Sequence, residues 1–156
     1  MKNTKTGFTL IELVVTLSVI AILAALALPR YIALQTQARV AKTQAIFGGI
    51  RSAAALAHAQ VLATNTVTSG PTSISMEGVT VNIVNGYPTA DANGIVTATQ
   101  MNPLADQITI SGGGPNAGDL LTININGGTA GTCTVTYQAS AAANTSPGIG
   151  SNTTGC

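Results

Sequence analysis

The sequence is poor in charged and aromatic residues. Only 7% of its 156 residues are charged and 3% are aromatic, with no tryptophan and a single histidine, His58. Without a second histidine or a free cysteine at ligand spacing, the sequence offers no support for catalysis or a metal centre. We therefore predict a protein that is not an enzyme, with no catalytic residues, cofactor or metal. His58 lies in an alanine-rich helical stretch, where we expect a packing or surface role.

Basic residues are missing from the C-terminal part. Every lysine and arginine lies at or before Arg51, whereas Glu77, Asp91, Asp106 and Asp119 follow it. A region without cations cannot neutralise phosphates, which excludes nucleic-acid binding through that part and leaves protein or carbohydrate partners. The aspartates are scattered and lack a recognisable calcium-binding loop.

Cysteine is also scarce, with Cys133 and Cys156 alone. Together with a membrane or export signal, two cysteines favour one disulfide in an oxidising compartment over a thiol or metal site. Closing this loop would contribute roughly 3 kcal/mol of stability in the chain-entropy model. The disulfide would also fix the position of the segment before Cys156, which is rich in Ser, Thr, Asn and Gly.

An apolar run extends from Phe8 to Leu28, interrupted by one charge, Glu12, and followed by Pro29. At about 1.5 Å per residue such a helix spans roughly 30 Å, the thickness of a bilayer core. A secretory signal peptide cleaved after Ala27 is the alternative, but the run exceeds a usual signal core and Glu12 would be costly there. Flanking basic residues nearly balance, so the disulfide decides the orientation and places the C-terminus outside.

The stretch Lys5-Thr6-Gly7-Phe8-Thr9-Leu10-Ile11-Glu12, followed by the apolar run, resembles the leader and processing site of type IV pilins and related prepilins. The resemblance implies that prepilin peptidase removes residues 1–7 by cutting after Gly7 and methylates the new amine of Phe8. It also implies that Glu12 contacts the N-terminus of an adjacent subunit during assembly. The expected partners are this peptidase, the inner-membrane assembly machinery and further copies in a helical filament.

The chemistry accounts for these residue types. Gly7 has no side chain to obstruct a peptidase. Four residues separate Phe8 from Glu12, so on one helix face the new amine and the carboxylate can neutralise each other, within a chain or between neighbours. An unpaired carboxylate in an apolar bundle is costly, although Glu12 near lipid headgroups is a simpler alternative. Pro29 predicts a kink or locally opened helix, or a plain bend at the membrane surface.

Helical periodicity continues over residues 29–63. Gly48-Gly49 weakens this stretch, which predicts either close approach of a strand or a break between two helices. The apolar stripe expected to carry the C-terminal head comprises Ile32, Val40, Ile46, Phe47, Ile50, Ala54, Leu56, Ala57 and Val61.

Beyond residue 64 the apolar period changes to two. Alternation predicts four strands, near 79–83, 108–110, 121–125 and 135–137, in an antiparallel sheet folded onto the helix. Residues 86–88, Gly-Tyr-Pro, are interpreted as a turn, and 95–104 as a short helix or a loop. The fold class is therefore α+β, with residues 8–28 as a membrane and assembly helix and 64–156 as a β-sheet head.

Two further features resemble known pilins. The cysteine-bounded end resembles the C-terminal disulfide region of type IV pilins, with Cys156 folding the tail back across the sheet. The strand followed by Gly-Tyr-Pro is similar to mannose-sensitive haemagglutinin (MSHA) type pilins. The implied function is a structural pilus subunit for adhesion, surface colonisation or twitching motility. Its precursor would lie in the inner membrane with a periplasmic C-terminus, and its filament would be extracellular. The alternatives are a minor pilin, a type II secretion pseudopilin, or a soluble secreted binding module.

Overall fold

The computed structural model describes residues 7–66, 70–143 and 145–156. Its contacts divide the chain into two compact units, Met1–Gln37 and Ala38–Cys156. Helix α1, Leu10–Ala63, contributes to both. Of the predicted leader, residues 1–6 lie outside the described residues, and Gly7 precedes the helix. The α+β class is confirmed, because one long helix is followed by antiparallel strands.

The first unit consists of the N-terminal part of α1. The apolar side chains of this part are exposed, since nothing within the unit covers them. Pro29 lies inside the helix, and the residues on both sides of it are helical. A kink at Pro29 stays a prediction.

In the second unit, one face of α1 is buried. Its positions recur every three, four or seven residues, as expected for a single face of a helix. Leu56 was predicted to lie on this face but is 64% exposed, so the buried stripe is narrower than the apolar pattern. Small residues dominate it, which lets strands pack close to the helix axis. The buried positions are Thr43, Ile50, Ala53, Ala54, Ala57 and Val61.

The glycine pair Gly48-Gly49 lies within continuous helix. A Cβ atom built on either glycine would meet nothing within 4 Å. Both predicted explanations are therefore wrong: no strand approaches the helix here, and the helix does not break. The intrinsic cost of glycine is offset by the packing of the residues that follow.

Within the described residues, seven strands form two antiparallel sheets, rather than the single sheet that was predicted. The four predicted strands are confirmed as β2, β4, β5 and β6, and three others were missed. The first sheet has the order β1-β2-β3 and the second the order β4-β5-β6-β7. The strands are β1 Thr72–Met76, β2 Val79–Val84, β3 Tyr87–Pro88, β4 Ile108–Gly112, β5 Leu120–Ile125, β6 Thr134–Gln138 and β7 Gly148–Asn152.

Two tight turns connect the strands of the first sheet. The φ angles are 50° and 81° at Glu77-Gly78 and 52° and 83° at Asn85-Gly86. Two positive φ values in a two-residue loop define a type I′ hairpin turn, which matches strand twist. The predicted Gly-Tyr-Pro turn is therefore wrong, because Tyr87-Pro88 forms β3 and pairs with β2.

The segment between the two sheets is irregular. It contains a distorted helical turn, Ala92–Val96, in which Gly94 has non-helical angles. Of the stretch 95–104, predicted as a short helix or a loop, residues 95–98 are helical and 99–104 form turns and loop. An isolated bridge pairs Ala90 with Gly114 and so joins the chain beside the first sheet to the second.

The core of the second unit lies between α1 and both sheets. Ile50, Ala53 and Ala54 belong to the cluster built on the four-stranded sheet. Farther along the helix, Ala57 and Val61 pack with Ile74, Val81 and Ile83 of the three-stranded sheet. One helix face therefore supports both sheets in succession.

Tyr137 connects the two sheets from within the core. Its phenol is buried and donates a hydrogen bond of 2.7 Å to the carbonyl oxygen of Pro88. Burial raises the pKa of Tyr137. Stability that depends on the neutral phenol is therefore present below its ordinary pKa of about 10 and is lost as the pH rises above it.

Substitution of Gly113 tests the packing between the sheets. Its φ is 85°, and an added Cβ would lie 2.1 Å from the Ala90 oxygen and 2.6 Å from Leu121 Cδ1. We expect Gly113→Ala to lower the unfolding free energy by about 3 kcal/mol, combining backbone strain with overpacking. Gly131→Ala is the matched control, since φ is 80° and its Cβ would meet nothing within 4 Å. It should cost only about 1 kcal/mol, and equal losses in denaturant titrations would contradict this account.

Candidate assembly site

The N-terminus of α1 is closed by a reciprocal hydrogen-bond arrangement between Thr9 and Glu12. The Thr9 hydroxyl and backbone N–H donate to Glu12 Oε2 at 2.7 and 2.9 Å, and the Glu12 N–H donates to Thr9 Oγ1 at 3.3 Å. This is a capping box, in which threonine at the cap and glutamate three residues later satisfy helix donors. Sequence reasoning missed it, although Thr-Leu-Ile-Glu before an apolar run is its signature.

Phe8 lies outside the helix, which begins at Leu10. Phe8 and Glu12 therefore do not share a helix face, so the prediction from their four-residue spacing is wrong. The two side chains nevertheless line one shallow surface depression together with Ile11, Val15 and Thr16. Phe8 is 77% exposed, so neither its backbone nor its ring is sequestered by the fold.

The apolar surface after Glu12 is long enough to cross a membrane, and the corresponding part of α1 is unburied. The two hydroxyl side chains of this part of α1 donate hydrogen bonds to carbonyl oxygens of the same helix. Thr16 donates to the Leu13 carbonyl at 2.9 Å, and Ser18 donates to the Val14 carbonyl at 2.7 Å. Such back-bonding lets polar residues enter an apolar environment without unsatisfied groups.

A second feature, the C-terminal clamp, is formed by the Cys133–Cys156 disulfide and the side chains of Thr43 and Arg39 on α1. The cysteine Cα atoms are 4.8 Å apart. Thr43 is fully buried, with its hydroxyl 3.7 Å from Cys133 Sγ and 3.5 Å from Cys156 Sγ. Arg39 Nε donates to the carbonyl oxygen of Cys156. The predicted disulfide is thus present, and it rests directly on the helix.

The tail before Cys156 forms a strand, which corrects the expectation that it folds back across the sheet. Residues of β7 pair in register with β6, from Gly148 opposite Gln138 to Asn152 opposite Thr134. The tail therefore extends the edge of the sheet and is held by backbone hydrogen bonds as well as by the disulfide.

The remaining polar residues singled out in the sequence have local partners. His58 stacks on Tyr87, with ring centroids 4.2 Å apart, which confirms a packing role. The carboxylates of Asp91, Asp106 and Asp119 each accept a hydrogen bond from a residue two to four positions away. In the described ranges, no three His, Cys, Asp or Glu residues converge on a possible metal position.

Removal of the disulfide tests the C-terminal clamp. We expect the double variant Cys133→Ser, Cys156→Ser to lose roughly 3 kcal/mol of unfolding free energy, because the unfolded chain regains the entropy of an open loop. Denaturant titration of the oxidised and reduced wild type provides the control, since reduction should reproduce the loss. Unchanged stability in both cases would contradict a stabilising clamp.

Comparison with known proteins agrees with this geometry. The family described as "Prokaryotic N-terminal methylation motif" matches residues 2–28. The type IV narrow pilus major component PilA5 of Thermus thermophilus is 36% identical over 121 residues, covering 76% of this chain and 97% of the relative. No solved structure matches significantly. The apolar α1, the disulfide-bounded head and this relative together show that the chain belongs to the type IV pilins, the structural subunits of pilus filaments.

Proposed function

We propose that the chain is a prepilin cleaved after Gly7, methylated on Phe8 and polymerised through α1 into an extracellular filament that attaches cells to surfaces. The observation that carries the proposal is the exposed N-terminal surface of α1, which has no covering partner in the described part of the chain. A surface of this size requires lipid or further subunits to cover it.

The environment of Gly7 supports cleavage at this position. The residue is exposed and precedes the helix, so the Gly7–Phe8 peptide bond lies outside α1. A Cβ at Gly7 would meet nothing within 4 Å, so the fold itself does not require glycine here. We attribute the glycine to the peptidase, whose active site must approach the scissile bond closely.

Glu12 is suited to receive the new amine of a neighbouring subunit. Its Oε2 atom is engaged by Thr9, whereas Oε1 has no partner among the described residues. The capping box holds the carboxylate at the start of the helix, where the helix dipole favours negative charge. A methylated amine from the next subunit would donate a hydrogen bond to the carboxylate and neutralise its charge in the apolar bundle.

In the proposed topology, the precursor crosses the inner membrane once and its C-terminal unit lies in the periplasm. The Cys133–Cys156 disulfide supports this orientation, because stable disulfides form in oxidising compartments. After assembly the same unit would be displayed on the filament surface.

We propose that the chain is a main structural subunit of the filament. The filament would serve adhesion, surface colonisation or twitching motility. The relative from Thermus is described as a major pilus component, which favours this role over a minor pilin or secretion pseudopilin. We further propose the MSHA-type subclass, supported by β2 followed by Gly86-Tyr87-Pro88.

Processing predicts a defined mass for protein sheared from cells. We expect a chain that begins with N-methylated Phe8, because cleavage exposes that amine, and that gains two protons on reduction. Intact-mass and N-terminal peptide spectra measure both. A chain that begins at Leu28 would instead show an ordinary secreted domain and refute assembly through Glu12.

Substitutions at the capping box separate helix capping from assembly. Glu12→Gln keeps an acceptor for Thr9 but removes the charge, so we expect processed subunits with at least about a tenfold loss of sheared filaments, as for a lost charge-assisted contact. Thr9→Ala is the matched control, because it weakens the cap by about 1 kcal/mol and keeps the carboxylate. Filament yield and intact mass are the measurements.

The same strains test the attachment role. Wild-type cells should agglutinate erythrocytes in a manner inhibited by mannose, and Glu12→Gln cells should not. Wild-type filament yield in Glu12→Gln would contradict the role of the charge. Agglutination insensitive to mannose would contradict the MSHA-type assignment and leave the filament role intact.

A further inference from the structure

A pocket of about 400 Å³ lies within the second unit. One wall is a face of α1, the second is the start of β3, and the third is the chain that enters β7. The pocket combines apolar and aromatic walls with a few polar groups, which is the usual composition of small-ligand sites. The side chains that matter below are Phe47, Arg51, His58, Tyr87, Ser146 and Pro147.

The aromatic wall is held in a fixed orientation. The His58 and Tyr87 rings are parallel within 5° and stacked at 4.2 Å. His58 Nδ1 lies 2.9 Å from the Gly86 carbonyl oxygen. Because a carbonyl oxygen can only accept, Nδ1 carries the hydrogen, and Nε2 of the neutral ring is left as an acceptor. Gly86 permits this approach, since a Cβ there would lie 3.3 Å from Nδ1.

Arg51 supplies a positive charge that lies over the Phe47 ring and has no anionic partner among the described residues. Its guanidinium lies 5.8 Å from the centre of the Phe47 ring and has no hydrogen-bond or ion-pair partner among the described residues. By contrast, Arg39 donates to the Cys156 carbonyl and Lys42 donates to the Gln107 carbonyl at 3.4 Å. Arg51 is exposed, so a ligand can reach it.

We propose that this pocket binds an acidic sugar, namely a uronic acid unit of a polysaccharide. The planar guanidinium of Arg51 matches a carboxylate in a two-point contact. The Phe47 and Pro147 side chains offer apolar surface to the C–H face of a pyranose ring. His58 Nε2 accepts from a sugar hydroxyl, and the exposed Ser146 hydroxyl donates to or accepts from another.

The same features disfavour nucleic acid as the ligand. Tight phosphate binding requires several cations along a strand. Beyond Arg51 the sequence contains no lysine or arginine. A single guanidinium at a pocket of mixed apolar and polar lining therefore suits one carboxylate better than a polyanionic backbone.

The single histidine of the chain makes the test specific. Full-length protein labelled at histidine is titrated in detergent micelles with trigalacturonic acid, and His58 is followed by NMR. We expect a saturable shift of its ring resonance. The neutral trisaccharide galactotriose should bind at least about tenfold more weakly, because it lacks the charge-assisted contact.

Arg51→Gln should weaken trigalacturonic acid binding at least about tenfold for the same reason. Since Arg51 is exposed, the variant should fold, which an unchanged His58 resonance in the free protein verifies. Arg30→Gln, in the first unit, is the matched control and should bind like the wild type. Absence of a His58 shift in the wild type, equal binding of the neutral sugar, or unaltered binding by Arg51→Gln would each overturn the proposal.

The inference extends the attachment role proposed above, and the titration distinguishes the two because solubilised subunits need neither processing nor assembly. Sheared filaments should also retain polygalacturonate on sedimentation, and Arg51→Gln filaments should not. Binding by solubilised subunits but not by filaments would refute the proposal, because it would identify the pocket as a contact between subunits.

Discussion

The packing of small residues of α1 against two sheets is the interaction on which the second unit depends. Ala53, Ala54 and Ala57 leave little side-chain volume between helix and strands, so Ile50 and Val61 can anchor one sheet each. Close packing of this kind is sensitive to single methylene changes, which makes the helix face more constrained than its composition implies.

The N-terminal part of α1 obeys a different constraint. Its apolar side chains have no partner within their unit, and its backbone is satisfied by the helix itself. This is the condition under which a segment can exchange lipid for other helices, since neither environment requires new backbone hydrogen bonds. The capping box extends the same principle to the helix end, because Thr9 and Glu12 satisfy donors that neither lipid nor apolar side chains can.

Much of the fold was predictable because its periodicity is strong. The helix, the disulfide and strands β2, β4, β5 and β6 follow from apolar spacing and cysteine count. Strand β7 was missed because Gly-Ile-Gly-Ser-Asn has one apolar residue, so its pairing depends on β6 rather than on its own pattern. Strand β3 has two residues, and the Asn85-Gly86 signal before it was overlooked.

The candidate sites also divide into those that the sequence could predict and those that it could not. The processing motif and Glu12 are contiguous in sequence and could be predicted there. The pocket around Arg51 could not, because it brings together α1, β3 and the entry to β7, which are far apart along the chain. Leu56 was predicted to be buried because it is apolar and at helical spacing, but its side chain is 64% exposed.

The position of the disulfide has a mechanical consequence. Cys133 directly precedes β6, and Cys156 follows β7, which is the edge strand of its sheet. An edge strand peels away one hydrogen bond at a time when one of its ends is pulled, which requires little force. With Cys156 bonded to Cys133, that end cannot be lifted alone, and β7 can leave β6 only if several hydrogen bonds break together. The covalent bond therefore lets this edge of the sheet resist tension in shear.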